Sequence, residues 1–199
     1  MLRKFIKPTI SSFSKRAASS IITEIHPEND EVAIVKMNAP PINALSKPFL
    51  QELEQAIDKL EKDEDVRAMV LTANKPGIFS AGLDIFEMYG KDRESLGAFW
   101  TQLQDTWLKL YKSPLMTVAA INGTSPAGGC LLSISCDYRV MADHKKFQIG
   151  LNETKLGLVA PPWFAKPFVS AIGEREAEKA LYRLFLNKIN FELTMNDYK

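Results

Sequence analysis

Short apolar segments alternate with longer amphipathic segments along most of this sequence. The apolar segments have the length and β-branched composition of buried strands, whereas the amphipathic segments repeat apolar residues at helical spacing. Leu53, Ile57 and Leu60, for example, share one face of a helix. We predict that this helix runs from its N-cap, Ser46, to about Lys62. Because such alternation favours helical crossovers between strands, it predicts an α/β fold.

Two loops rich in small residues interrupt the pattern, and we predict them over residues 74–84 and 123–129. The predicted strands are 21–25, 32–37, 66–72, 115–121, 137–142 and 147–149. The predicted helices are 46–62, 94–111, 130–136, 161–172 and 174–187. One domain is expected, because a chain of 199 residues with 46% hydrophobic residues can bury one sizeable core.

The start of the chain differs in composition from the rest. Residues 1–20 are rich in Ser, Lys and Arg and contain no acid, which is typical of a mitochondrial transit peptide. This segment predicts a protein of the mitochondrial matrix, and the alternative is a disordered basic tail. Residues 1–23 carry five positive charges and no negative charge. The whole chain has a net charge of +1, so residues 24–199 carry a net charge of −4. An acidic body disfavours nucleic-acid binding, which requires a basic face.

The cysteines do not form a metal-binding pattern. Cys130 and Cys136 lie in an apolar segment, and the histidines, His26 and His144, do not complete a zinc spacing. We interpret both cysteines as reduced and buried. No apolar run is long enough to span a bilayer. The sequence therefore predicts neither a metal, nor a redox cofactor, nor a membrane span.

Three motifs carry a resemblance to a known family. They are residues 79–85 (Phe-Ser-Ala-Gly-Leu-Asp-Ile), residues 126–130 (Pro-Ala-Gly-Gly-Cys) and residues 150–157 (Gly-Leu-Asn-Glu-Thr-Lys-Leu-Gly). In order and spacing they resemble the crotonase (enoyl-CoA hydratase/isomerase) superfamily, and most of all its isomerases. The resemblance implies a crotonase-like spiral of repeated ββα units over residues 21–181. It also implies that this fold is short at its C-terminal end, where residues 182–199 diverge.

The first two motifs of this superfamily each supply one backbone N–H group to an oxyanion hole for the thioester oxygen. The resemblance gives this role to Leu83 and to Gly128, where a predicted helix would direct the positive end of its dipole at the oxygen. The alternative for either loop alone is a tight turn without a ligand. The substrate-binding residues implied are Ala81, Gly82, Leu83, Asp84, Ile85, Gly128 and Asn152.

The third motif contains Glu153, which lies in a short polar stretch between apolar runs. A carboxylate near apolar walls has a raised pKa and can take and return a proton. The resemblance implies that Glu153 moves a proton from C2 to C4, converting a cis or trans 3-enoyl-CoA to trans-2-enoyl-CoA in fatty acid β-oxidation. The alternative is a surface glutamate. For Asn152, the alternative to substrate contact is a turn cap.

One position distinguishes the isomerases from the hydratases of this superfamily. The hydratases carry a second glutamate directly after Gly-Gly-Cys, and Leu131 occupies that position here. Because leucine cannot activate water, the resemblance implies an isomerase rather than a hydratase. Candidates for the acyl tunnel are Phe86, Met88, Trp100 and Trp107, although a core role is favoured for most of them.

Members of this superfamily usually continue with helices that close the pocket and pack subunits into trimers. Residues 182–199 do not resemble that continuation, so a homotrimer is expected only if the short C-terminal end permits it. A non-catalytic acyl-CoA-binding or subunit-interaction protein is the alternative to an enzyme. Coenzyme A is expected only as part of the substrate, and no other cofactor is implied.

Overall fold

The computed structural model describes residues 19–183, so most of the predicted leader (1–20) and of the divergent tail (182–199) lies outside them. The strands are β1 (Ile21–His26), β2 (Asn29–Met37), β3 (Ala44–Leu45), β4 (Ala68–Ala73), β5 (Gly77–Ile78), β6 (Gly82–Leu83), β7 (Met116–Ile121), β8 (Gly123–Pro126), β9 (Tyr138–Met141) and β10 (Ile149–Gly150). The helices are α1 (Lys47–Glu61), α2 (Arg93–Tyr111), α3 (Gly128–Ser135), α4 (Pro162–Ile172) and α5 (Glu174–Arg183). Two short 3₁₀ helices span Ile85–Glu87 and Glu153–Leu156.

The main sheet has the strand order β1-β2-β4-β7-β9. Strands β1 and β2 form an antiparallel hairpin, and the other neighbours in this sheet are parallel. The crossovers from β2 to β4, from β4 to β7 and from β7 to β9 contain α1, α2 and α3, respectively. The predicted α/β fold with helical crossovers is therefore confirmed.

The core lies between the main sheet and the crossover helices. Val35, Leu71 and Ala119 are paired on neighbouring strands, and all three are fully buried. Helix α1 begins after Ser46, whose side chain accepts a hydrogen bond from the Phe49 N–H, as its N-cap prediction requires. Its face formed by Leu50, Leu53, Ile57 and Leu60 belongs to the same core. The periodicity in the sequence thus identified the correct face.

Short strands at one end of the main sheet were predicted as loops, and this prediction was wrong in part. Strand β3 pairs in parallel with β6, and β8 lies between β10 and β5 in a three-stranded sheet. The predicted loop 74–84 thus contains β5 and β6, and the predicted loop 123–129 contains β8 and the start of α3. Strands of two residues have no side-chain period, so only pairing with distant segments reveals them.

The pairing of β5 with β8 requires a glycine at position 123. A Cβ added to Gly123 would lie 2.4 Å from the carbonyl carbon of Gly77 and 2.4 Å from the Ile78 nitrogen. This contact leaves no room for a side chain, and it brings the two small-residue loops to the same end of the sheet.

Helix α4 covers α3, and α5 covers α4. Helix α4 packs against α3 and buries Phe164 and Phe168, and α5 packs against α4 through Ala177 and Ala180. The predicted helix 174–187 is observed to Arg183, and its last residues lie outside the described part. In residues 19–183, no helix combines the length and the apolar composition that crossing a membrane requires.

Candidate active site

The end of the first small-residue loop is bonded to the residues that precede α1. The Ala81 N–H donates to the Ile42 carbonyl (2.9 Å), and the Asp84 N–H donates to the Leu45 carbonyl (3.2 Å). Successive N–H groups of an extended segment point to opposite sides. At the end of β6 the Asp84 N–H points toward β3, so alternation within the β3–β6 pair predicts that the N–H of Leu83 points away from β3.

The second loop brings Gly128 to the same place. Gly128 is the first residue of α3, so its N–H has no acceptor within the helix. A Cβ added to Gly128 would lie 3.3 Å from the Leu83 nitrogen, and a Cβ added to Gly82 would lie 3.2 Å from the Gly128 nitrogen. The two N–H groups that the sequence suggested as an oxyanion hole are therefore neighbours in space.

Helix α3 is suited to stabilise negative charge at this point. All its residues from Gly128 to Ser135 are buried, and none is ionisable other than Cys130. The partial positive charge at the N-terminal end of a helix lies on its first N–H groups, and an apolar environment strengthens its effect. Ala127, which precedes the helix, has a positive φ of 50° that turns the chain into α3.

Glu153 reaches this end of α3 through β10. The Ala127 N–H donates to the Gly150 carbonyl (2.9 Å), and Glu153 begins the 3₁₀ helix three residues after Gly150. Burial raises the pKa of the Cys130 thiol, in the first turn of α3, and the Glu153 side chain lies close enough for its charge to raise that pKa further. The carboxylate and the N-terminal end of α3 therefore belong to one site.

The carboxyl group of Glu153 is buried and incompletely hydrogen-bonded. Glu153 is 8% exposed, and its Oε1 is buried with no hydrogen-bond partner in the described part of the chain. Burial raises the pKa of this carboxyl, while hydrogen bonds with the backbone of Glu153 and Asn152 act in the opposite direction. The alternative of an exposed surface glutamate is therefore wrong. A carboxyl of this kind can both accept and return a proton near neutral pH.

The other predicted substrate-binding residues flank these groups. Ala81 and Gly82 lie in the first loop, and Asp84 accepts the Phe86 N–H (3.0 Å) and caps the 3₁₀ helix that Ile85 begins. Ile85 is 51% exposed, so its side chain is free to contact a ligand. Asn152 precedes Glu153, and its side chain makes no capping hydrogen bond, which leaves the turn-cap alternative without support.

The candidates for the acyl tunnel have separate locations. Trp100 and Trp107 lie on α2 and both contact the ring of Trp163 on α4, with centroid distances of 6.4 and 5.2 Å. These two tryptophans pack against the core, as we predicted for most of the candidates. Phe86, by contrast, is 74% exposed beside the first loop, while Met88 packs partly against the core.

Sequence reasoning missed the residues that hold the first loop in place. Asn43 and Ser80 are both buried and bond to each other, and the carboxylate of Glu87 accepts the N–H of Lys47 at the start of α1 (3.0 Å). A signal was available at Asn43, a polar residue two positions before the buried Leu45 and three before the helix cap, Ser46. Its partners Phe79 and Ser80 lie far along the chain, however, and no local sequence pattern identifies them.

Comparison with known proteins identifies the family of this chain. A model of the enoyl-CoA hydratase/isomerase family matches residues 27–188. The mouse enoyl-CoA delta isomerase 1, mitochondrial, is 53% identical over 150 residues, which are 75% of this chain and 52% of that protein. The human protein of the same name is 49% identical over 150 residues, 75% of this chain and 50% of that protein.

The fold agrees as well. The crystal structure of human mitochondrial delta3-delta2-enoyl-CoA isomerase superposes with a TM-score of 0.81 and 45% identity, over 84% of this chain and 64% of that one. The predicted crotonase-like fold is thereby confirmed. This chain spans about half the length of the mouse and human relatives. By the family match, the chain is a member of the enoyl-CoA hydratase/isomerase family.

Proposed function

We propose that this protein is an enoyl-CoA isomerase that moves the double bond of a 3-enoyl-CoA to the 2-position, giving the trans-2-enoyl-CoA of fatty acid β-oxidation. The observation that carries the proposal is the buried, partly unpartnered carboxylate of Glu153 beside the N-terminal end of α3. The backbone N–H groups of Leu83 and Gly128 lie at that same end.

The proposed reaction uses one group for both proton transfers. Glu153 takes a proton from C2, and the electrons of that C–H bond spread over the dienolate onto the thioester oxygen. The N–H groups of Leu83 and Gly128 stabilise this oxyanion, and each such donor contributes about 10²–10³ in rate. Glu153 then returns the proton to C4, so that the double bond lies between C2 and C3 and the carboxylate is regenerated.

The environment of α3 supports isomerisation over hydration. Leu131, at the position of the hydratases' second glutamate, is fully buried and offers no polar atom to hold water. The raised pKa of Glu153 suits a carboxyl that must hold a proton between two transfers. Hydration would instead require a second group to position and split water.

Several features of the whole protein follow as parts of this proposal. We place it in the mitochondrial matrix, with residues 1–20 as the leader, residues 21–181 as the crotonase-like domain and residues 182–199 as a divergent tail. The curated relatives named above carry the word mitochondrial in their names. Acyl-CoA is the proposed ligand and a homotrimer the proposed assembly, with no cofactor beyond the coenzyme A of the substrate and no nucleic-acid partner.

Matched glutamate variants test the proposal. The full chain is assayed with a 3-enoyl-CoA, and the products are separated as 2-enoyl-CoA and 3-hydroxyacyl-CoA. Glu153→Gln is compared with Glu28→Gln, which makes the same chemical change at an exposed turn. We expect 2-enoyl-CoA from the parent protein and from Glu28→Gln, and at least a 10²-fold lower rate from Glu153→Gln.

Two other outcomes would change the functional conclusion. A 3-hydroxyacyl product from the parent protein would make it a hydratase. A folded parent protein that binds acyl-CoA without turnover would favour the non-catalytic acyl-CoA-binding alternative, since the same N–H groups and apolar walls suffice for binding.

A further inference from the structure

We infer that Asn43 is a positioning residue for the oxyanion hole, acting through Ser80 on the backbone that carries the N–H of Leu83. The inference rests on the proposed function, because it concerns the same N–H group. It assigns a role to two side chains, those of Asn43 and Ser80, that have no direct part in the proposed reaction.

Asn43 is held in an unusual and fully bonded conformation. It is 8% exposed and has a positive φ of 49°, in the left-handed region. Its Oδ1 accepts the Ala39 N–H (2.8 Å), and its own N–H donates to the Ala39 carbonyl (2.8 Å). Both bonds close the turn 39–43, so the amide group of Asn43 has one orientation.

The rest of Asn43 is bonded to the segment that leads into the first loop. Its Nδ2 donates to the Phe79 carbonyl (3.0 Å), and its backbone carbonyl accepts the Ser80 hydroxyl (2.7 Å). Phe79 and Ser80 are both fully buried. One asparagine thus fixes two consecutive residues directly before Ala81 and Gly82.

Ser80 passes this constraint to the loop itself. Its Oγ donates to the backbone carbonyl of Asn43 and accepts the N–H of Gly82 (3.1 Å). Gly82 is the residue before Leu83. Gly82 has a positive φ of 91°, so the direction of the Leu83 N–H depends on how the Gly82 peptide is held. The Ser80 hydroxyl is the group that holds it.

Ser80 also sets the separation of the two loops. A Cβ added to Gly129, the second residue of α3, would lie 2.7 Å from the Ser80 carbonyl oxygen and 3.0 Å from the Ser80 Cβ. Ser80 therefore packs directly on the first turn of α3, next to Gly128. A shift of Ser80 would move the Leu83 N–H relative to the Gly128 N–H, and both must point at one oxygen.

The test reads the hydrogen bonds to the thioester directly. The full chain binds octanoyl-CoA, a saturated acyl-CoA with no carbon–carbon double bond to isomerise. Its carbonyl carries a ¹³C label, and infrared spectroscopy measures the carbonyl stretch. Two N–H donors lower this frequency relative to the free ligand, so the shift reports the geometry of the hole. The kcat for a 3-enoyl-CoA is measured alongside.

The variants separate positioning from general stability. Asn43→Asp keeps the acceptor for Ala39 and removes the donor to Phe79, while Asn43→Gly removes the side chain and tolerates the positive φ. Ser80→Ala removes the link to Gly82. The matched control is Asn122→Asp, which removes a similar donor, from Nδ2 to the Ala73 carbonyl (2.7 Å), at the end of another strand.

We expect all three variants at Asn43 and Ser80 to reduce the carbonyl shift and to lower kcat by about 10- to 100-fold, as displacements of about 1 Å do. Asn122→Asp should keep both values. A parental shift in a folded Asn43→Asp or Asn43→Gly protein would overturn the inference, whatever its kcat. If the parent protein binds octanoyl-CoA with no shift, the oxyanion hole itself fails and the inference fails with it.

Discussion

The thiol of Cys130 and the carboxylate of Glu153 lie close enough to interact, although Cys130 lies in the first turn of the buried helix α3 and Glu153 begins a short 3₁₀ helix after β10. Burial raises the pKa of the Cys130 thiol, and the charge of Glu153 raises it further. The proposed proton carrier thus faces a neutral, buried group rather than a partner that would hold it ionised. This relationship leads to predictions on stability, on geometry and on reactivity.

Glu153→Gln is expected to stabilise the fold at neutral pH. Burial raises the pKa of Glu153 above its ordinary 4.5. At a pH where this carboxyl is protonated in both the folded and the unfolded protein, its shifted pKa does not change the free energy of unfolding. As the pH rises through the folded-state pKa, the carboxyl ionises in the folded protein and destabilises the fold. Glutamine avoids this cost, so the variant's free energy of unfolding should exceed the parent's at pH 7. The difference should fade below pH 4.5, as urea titrations at several pH values would show.

The control for this comparison is Glu28→Gln, at an exposed turn. Its effect on the free energy of unfolding should stay within about 0.5 kcal/mol at neutral pH. A gain in Glu153→Gln that is the same at pH 4 and pH 7 would contradict the electrostatic explanation.

Gly128→Ala is expected to damage both the fold and the oxyanion hole. The new Cβ would lie 2.8 Å from Leu45 Cδ1 and 2.9 Å from Leu83 Cδ2, closer than side chains pack. Overpacking of this kind costs about 1–3 kcal/mol. The loss of aligned N–H donors should lower kcat by about 10²–10³. Denaturant unfolding and the isomerase assay measure the two effects.

Gly97→Ala is the matched control, because a Cβ added to Gly97 meets no atom within 4 Å. Gly97 lies on the exposed side of α2, where alanine should stabilise the helix by about 0.5–1 kcal/mol. An active, stable Gly128→Ala protein would show that the side chains of Leu45 and Leu83 can move aside without disturbing the oxyanion hole.

Both cysteines are expected to be unreactive in the folded protein. Cys130 is 0% and Cys136 3% exposed, and burial raises the pKa of Cys136 to about 12. Because the thiolate is the reactive form, an aromatic disulfide reagent at pH 8 should label neither thiol quickly. Both should react at once in denaturant. Rapid labelling of the native protein would mean that α3 opens readily, which its burial argues against.

Thr117→Val is expected to weaken the connection between β7 and the end of α3. The backbone N–H and the hydroxyl of Thr117 both donate to Asp137 Oδ2 (2.8 Å each), and the Asp137 N–H donates to Thr117 Oγ1 (2.9 Å). Valine keeps the shape and one bond, and it leaves the Asp137 N–H unpaired. A loss of about 1–3 kcal/mol in the free energy of unfolding is expected.

Thr72→Val provides the comparison, since the Thr72 hydroxyl makes a single bond to the Ala120 carbonyl (2.8 Å) on the partly exposed face of the sheet. Its loss should be smaller, about 0.5–1.5 kcal/mol. Equal losses in the two variants would indicate that the Asp137 connection adds nothing to an ordinary hydrogen bond.

The elements that the sequence predicted well have strong internal signals. Helix α1 has an apolar face and a capping serine, and α2 was predicted from residue 94 and begins at Arg93. The strands of the main sheet differ from their predicted bounds by a few residues at most, because a run of buried β-branched residues identifies a strand without reference to its partners. The largest difference is at β2, which begins at Asn29, three residues before its predicted start.

The site was predicted less completely. The motifs around Leu83, Gly128 and Glu153 could be identified in the sequence, because together they resemble those of the crotonase superfamily in order and spacing. Nothing in those motifs pointed to Asn43, whose partners Phe79 and Ser80 lie in a distant segment. The two-residue strands that carry the loops were missed for the same reason.

Local composition and periodicity therefore determined the main strands and the helices, since these depend on neighbours in the chain, and the resemblance of three motifs to the crotonase superfamily supplied the proposed reacting groups. Only the tertiary structure decided that the Leu83 and Gly128 nitrogens meet, that Glu153 is buried beside Cys130 and that Asn43 anchors the first loop. Those relationships rest on backbone hydrogen bonds and close contacts between segments far apart in sequence. Their geometry exists only once the parallel strands have paired.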